Sequence, residues 1–332
     1  MKLKYMWIAF TVFLLVTVPF RIYQTVALID PQTNFYEKGT EFTLTLLLGL
    51  LGLYVVTMLV MSAMHKGMDR HTVHKNIPAG IFALVAGGLL LVESGVQLVG
   101  AGANEKMVES VILGIAALLA AVTFFFMAAS SFAGRNLFER MPLLALLTTL
   151  WGCARLVITF LGYTNIASDS SSMFDMVGIM FALLFLFTQA KLFAGVGSEK
   201  TSKRLFLLGM LAIVFICVFN IPELVQHSMG SRTLEFSALL PRLIDLSLAF
   251  YIFCILLEMS KEYILTGGWH EYHEPVAVEG GELPLSADSA NPDADNLPKP
   301  EFFDSLVADR PSTRDSVKKE QEAPKNPHDY KD

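Results

Sequence analysis

A chain of 332 residues is long enough for two or three soluble domains, but its composition excludes them. Hydrophobic residues make up 53% and charged residues 17%, with a mean hydropathy of +0.51, whereas soluble domains carry roughly 25% charged residues. The apolar residues fall in blocks of about twenty, the helix length that crosses ~30 Å of hydrocarbon. A soluble enzyme is therefore excluded for most of the chain.

The blocks predict eight spanning helices, at 5–28, 42–64, 77–100, 108–131, 141–162, 173–194, 204–226 and 237–259. The first starts with Lys2 and Lys4, as a signal peptide does. Its apolar stretch runs on through Pro19 and Arg21 with no small-residue cleavage pattern, so it reads as a retained span. Basic residues in the connectors set the orientation. One side holds Lys2, Lys4, Lys66, Arg70, Lys75, Arg135, Arg140, Lys191, Lys200, Lys203 and Arg204, and the other only Lys38, Lys106 and Arg232. The richer side is expected to be cytoplasmic, which places both termini inside.

The net charge of −6 is a property of the end of the chain. Residues 261–332 carry 16 acidic and 8 basic residues, leaving 17 basic and 15 acidic residues in 1–260. Eight of the 14 prolines lie in 275–327. A segment this polar buries too little surface to offset its chain entropy, so 261–332 is expected to be a disordered cytoplasmic tail. Its short apolar island, Phe302-Phe303-Asp304-Ser305-Leu306-Val307, is a candidate docking element for a soluble partner. Cys153, Cys217 and Cys254 all fall in apolar blocks, an odd number with no disulfide framework, and read as buried free thiols.

The eight spans of the 1–260 domain group as four hairpins. Near the far end of each hairpin's first helix stands one ionisable residue: Arg21, Glu93, Arg155 and Glu223. Their near-constant spacing and alternating sign suggest two duplicated four-helix halves, 1–131 and 141–260, related by an axis along the membrane normal. Glu41 and Asp175, each beginning a second helix, repeat the same interval. Gln24, Gln97 and Gln226 follow three of the four charges within a turn, while Ile158 stands in that place after Arg155.

A charge in hydrocarbon costs at least ~2.5–3.5 kcal/mol. Arg21, Glu93, Arg155, Glu223, Arg242 and Asp245 therefore need partners, water or the interface. Glu93 is the hardest to explain, because seven residues separate it from the end of its apolar run, roughly 10 Å at 1.5 Å per residue. Two readings follow. The charges form structural ion pairs that fix helix order, or they line an outward cavity for a small polar solute or an ion, with Gln24, Gln97, Asn220 and Gln226 adding neutral hydrogen bonds. Pro19, Pro222 and Pro241 are expected to break or kink their helices beside these charges.

Arg21-Ile22-Tyr23-Gln24, followed by the Asp-Pro turn of 29–36, resembles the first hairpin of uncharacterised multi-span membrane proteins of bacteria. The resemblance covers about twenty residues. It implies a bacterial plasma-membrane setting and no activity.

Other signals are weaker. His65, His71 and His74 share an inner loop without a cysteine or a well-placed carboxylate to complete a metal set. His270-Glu271-Tyr272-His273 has two residues between its histidines where the zincin pattern has three. Gly87-Gly88 and Gly95 are expected to allow close helix packing. No nucleotide loop, catalytic triad or cofactor fingerprint is present, and the basic residues are too scattered for nucleic acid. The expectation is an all-helical, eight-span inner-membrane protein that is not an enzyme. Its leading reading is transporter-like or permease-like, with a solute site formed by Arg21, Gln24, Glu93, Gln97, Arg155, Glu223, Gln226, Arg242 and Asp245. The alternative is a membrane scaffold or sensor whose tail recruits a soluble partner.

Overall fold

A computed structural model describes residues 3–29, 36, 39–40, 42–64, 75–101, 107–139, 141–165, 170–196, 199–229 and 236–265. Residues 266–332 of the acidic tail, the histidine loop and Glu41 lie outside these, as does the side chain of Asp175, whereas 261–265, expected to belong to the tail, continue the last helix. Eight helices are long and apolar enough to cross a membrane, and no strand occurs among the described residues. They are α1 (Leu3–Tyr23), α2 (Phe42–Met64), α3 (Ile77–Gly100), α4 (Met107–Ala133), α5 (Leu147–Asn165), α6 (Ser170–Phe193), α7 (Glu199–Ser228) and α8 (Phe236–Leu265). Apolar helices of this kind imply a lipid bilayer as their surroundings.

Local chemistry explains several boundaries. Asn76 caps α3 by accepting a hydrogen bond from the Ala79 amide at 3.0 Å, with Pro78 in the first turn, where its missing N–H costs nothing. The fifth span opens as a 3-10 turn, Pro142–Leu146, before the α-helix begins at Leu147. Thr148 stabilises that junction by donating to the Ala145 carbonyl at 3.0 Å. The prolines do not break their helices. Pro19 lies inside α1, Pro222 inside α7 and Pro241 inside α8. Helices can absorb a missing backbone hydrogen bond where neighbouring helices support them. Beyond Arg21 the first span loosens into a π-turn, Gln24–Leu28.

Neighbours in sequence pack together as α1 on α2, α3 on α4, α5 on α6 and α7 on α8, but hairpins are only part of the arrangement. Helix α4 also packs on α5, α6 on α7 and α3 on α8, which closes α3 to α8 into a ring. The ring is filled. Tyr251 of α8 is wholly buried, accepts a 2.6 Å hydrogen bond from Gln189 of α6, and packs edge-on against Phe124 of α4. Helices α1 and α2 join at α7. The Trp7 ring meets Phe206 and Phe253, and its indole N–H donates to Ser260 of α8 at 2.7 Å. The buried Tyr54 of α2 donates its hydroxyl proton to the Met210 carbonyl of α7 at 3.0 Å.

The α3–α4 contact is built from small residues. Ala79, Ala83, Ala86, Ala117, Ala120 and Ala121 are buried on these two helices, and small residues let backbones approach closely. Gly87 belongs to this face: a Cβ there would stand 3.1 Å from the Phe125 ring and 3.3 Å from the Ala121 carbonyl oxygen. Gly88 and Gly95 do not, because a Cβ on either meets nothing within 4 Å. The cysteines also differ from expectation. Only Cys254 is buried, Cys217 is half-buried and Cys153 is exposed on the surface of α5, where an apolar thiol suits lipid as well as core.

Gly87→Ile is expected to lower stability by about 1–3 kcal/mol, because the added carbons meet a backbone oxygen that cannot move aside. Gly88→Ile is expected to leave the detergent Tm unchanged. Equal losses from the two would show that α3 packs by another face.

Candidate functional site

The six ionisable residues singled out in the sequence lie in the half of the bundle nearest the hairpin tips, which is the end where α1, α3, α5 and α7 finish. The structure sorts them into three groups with different chemistry.

The first group joins α3, α5 and α8. Arg155 of α5 and Asp245 of α8 form a two-pronged ion pair, Nη1 to Oδ1 at 2.6 Å and Nη2 to Oδ2 at 2.7 Å. Both side chains are 8% exposed. Parallel charge-assisted bonds of this kind are the strongest arrangement a guanidinium and a carboxylate can make. The guanidinium carbon lies 5.5 Å from the centroid of the Trp151 ring, one helical turn earlier on the same face of α5. Glu93 of α3 is 3% exposed and within electrostatic reach of both members of the pair. Its Oε2 has no hydrogen-bond partner. The Trp151 indole N–H interacts with that carboxyl, but not in full hydrogen-bond geometry. Buried groups bonded this incompletely keep part of a desolvation cost of about 1–3 kcal/mol each.

The second group joins α7 to α8. Arg242 Nε pairs with Glu223 Oε2 at 2.8 Å, and these side chains keep 17% and 14% exposure. Arg242 also donates to Asn220 Oδ1 at 3.5 Å, while the Asn220 amide donates to the Ile216 carbonyl one turn back.

The third group ties α1 to α2 and α7. Arg21 is buried and donates to the Tyr36 hydroxyl at 2.6 Å and to Gln24 Oε1 at 3.3 Å. Its guanidinium lies 5.9 Å from the Phe219 ring centroid. No carboxylate among the described residues is within ion-pair distance of it. An isolated antiparallel bridge between Ile29 and Tyr36 brings Tyr36 back over α1. Gln24 donates to the Thr43 carbonyl at the start of α2, and Gln226 of α7 donates to the Thr25 carbonyl, both at 2.7 Å. Gln226 therefore holds a carbonyl of the π-turn, while Gln24, itself in that turn, ties it to α2. Gln97 is half-buried, with its Cβ in the space beside Gly114 of α4.

The nine residues singled out in the sequence thus do not form one constellation. Glu93, Arg155 and Asp245 come together, Glu223 and Arg242 come together, and Arg21, Gln24 and Gln226 surround the end of α1. The sequence reading missed Trp151 and Tyr36. Trp151 was legible, since four residues separate it from Arg155 and so place both on one helix face. It also missed a polar contact at the opposite end, where the Asn76 amide donates to Glu258 and to the Cys254 carbonyl of α8.

Removing one member of a buried pair strands the other. Asp245→Ala is expected to cost about 3–5 kcal/mol in detergent unfolding, and the double change Arg155→Met with Asp245→Leu to recover most of it. Glu223→Ala is expected to cost less, because Arg242 keeps access to solvent. An unchanged Tm for Asp245→Ala would remove the pair from the account. Comparison of the chain with protein-family models, with curated proteins and with solved structures returns no match.

Proposed function

We propose that this multi-span membrane protein is transporter-like and binds a small polar or charged solute at the α3–α5–α8 cluster, from the side on which the hairpin tips lie. The supporting observation is a pair of incompletely bonded groups beside a satisfied ion pair. Arg155 and Asp245 complete each other, while Glu93 Oε2 is buried without a partner and the Trp151 N–H makes only a weak contact with the same carboxyl. A solute offering a donor to the first and an acceptor to the second makes good what the protein leaves open. Glu223 of α7 and Arg242 of α8, which keep some exposure, lie on the approach, with the buried Asn220 bonded to Arg242. Gln24 and Gln226 act as tethers in this reading, and Arg21 fixes the first loop. The acidic tail, with its apolar island at 302–307, supports a second role in recruiting a soluble partner.

The test is thermal stability of the purified protein against a panel of polar metabolites and ions. A ligand that binds the folded state raises Tm by mass action, equivalent to about 2.7 kcal/mol at a hundredfold excess over Kd. The expected result is a stabilising solute whose effect disappears in Glu93→Gln while that variant still folds. Deleting 275–332 should leave solute binding intact. A solute that stabilises Glu93→Gln as well as the parent chain would place the site elsewhere. Loss of function only on deleting the tail would favour the scaffold or sensor.

A further inference from the structure

The charge count of the α3–α5–α8 cluster carries the reading one step further, to the class of solute. Glu93 and Asp245 are carboxyls, Arg155 is the only cation among them, and both of its Nη groups bond Asp245. Arg155 attracts Glu93 without bonding its Oε2, so with both carboxyls ionised the three side chains carry one more negative charge than positive. Among the described residues, the other elements packed around Glu93 do not supply a second cation. Helix α4 has no ionisable residue between Ser110 and Ser131. On α8, Arg242 lies one turn from Asp245 but is paired with Glu223. Trp151 of α5 is neutral, and its ring face is already turned to Arg155.

An uncompensated charge at this depth costs several kcal/mol and is not sustained. The cluster therefore takes up one positive charge from outside the protein. We propose that Glu93 carries a proton in the ligand-free protein and exchanges it for the ammonium group of a cationic solute. When the ammonium arrives, the O–H bond of Glu93 breaks, the proton leaves to the hairpin-tip side, and the carboxylate formed pairs with the incoming N–H donors. One proton leaves for each cation bound, so the cluster's charge is the same before and after. The indole N–H of Trp151 then meets an acceptor elsewhere on the solute. This inference rests on the proposed solute site and narrows it to cations.

The experiment uses the full chain in detergent, with methylammonium chloride as the probe and sodium chloride at equal concentration as the control. Infrared difference spectra follow the C=O stretch of a neutral carboxyl, and an indicator dye in weak buffer follows released protons. The expected result is a neutral-carboxyl band that disappears as methylammonium is added, with release of one proton per chain. Neither signal is expected in Glu93→Gln. Asp245→Asn gives a second, independent arm. It frees Arg155 to pair with Glu93, so the band should be absent from the start and methylammonium should release nothing.

Three outcomes overturn the inference. The neutral-carboxyl band could be missing from the parent chain, proton release could persist in Glu93→Gln, or the band could remain in Asp245→Asn. Should a zwitterionic or anionic solute stabilise the parent chain without proton release, the solute site stands and the exchange of proton for ammonium falls. Should Glu93→Gln bind every stabilising solute as the parent does, the site itself falls.

Discussion

The requirement that charge inside a membrane be matched by charge organises this bundle. Arg155 and Asp245 meet it directly, and in doing so fix α5 against α8 at a point where the ring of six helices would otherwise rest on apolar contacts alone. Apolar packing between helices has little direction in lipid, because the lipid tails are as apolar as the side chains. Two parallel hydrogen bonds between charged groups do have direction. They set the rotation of α8, and that rotation places Asp245 toward Arg155 and Tyr251 toward α4 and α6.

The remaining polar groups divide by what they bond. Gln24, Gln226, Tyr54 and Asn76 donate to backbone carbonyls of other elements, so each secures one helix to the next. Helix α7 receives α1 through Gln226 and the Phe206 contact, and α2 through Tyr54, and it is the most buried span. Groups of this kind are satisfied and leave nothing for a ligand. Glu93 differs because its Oε2 is buried without a partner and the neighbouring indole only incompletely bonds its carboxyl. In the proposed reading stability and binding draw on the same cluster, with the ion pair holding the frame and Glu93 incompletely bonded within it.

The ring also bears on how a solute reaches the cluster. Tyr251 fills the ring at mid-bundle, so the cluster is separated from the opposite end by packed side chains. Access from the hairpin-tip side passes the partly exposed Glu223–Arg242 pair. If the chain transports the proposed solute, passage to the other side requires Tyr251 and the rings around it to move, which is the kind of two-state repacking that alternating access uses.

The sequence by itself determined the spans. Length and apolarity settle them because an unpaired backbone in hydrocarbon is so costly that a long apolar block has little choice but helix. All eight blocks are helices within a few residues of their expected positions. The sequence also marked Glu93, Arg155 and Asp245 as residues needing an explanation, because charge in an apolar block is costly wherever the helix sits. What it left open was which charge answers which. The interval linking Arg21 to Arg155 and Glu93 to Glu223 treats these as equivalent, yet Arg155 has a carboxylate partner and Arg21 has a tyrosine and a glutamine. Glu223 has an arginine, and Glu93 has an oxygen with no partner. Pairing depends on the rotation and neighbours of whole helices, and therefore on contacts such as α3 with α8 that lie far apart in the chain. Only the tertiary structure decides those.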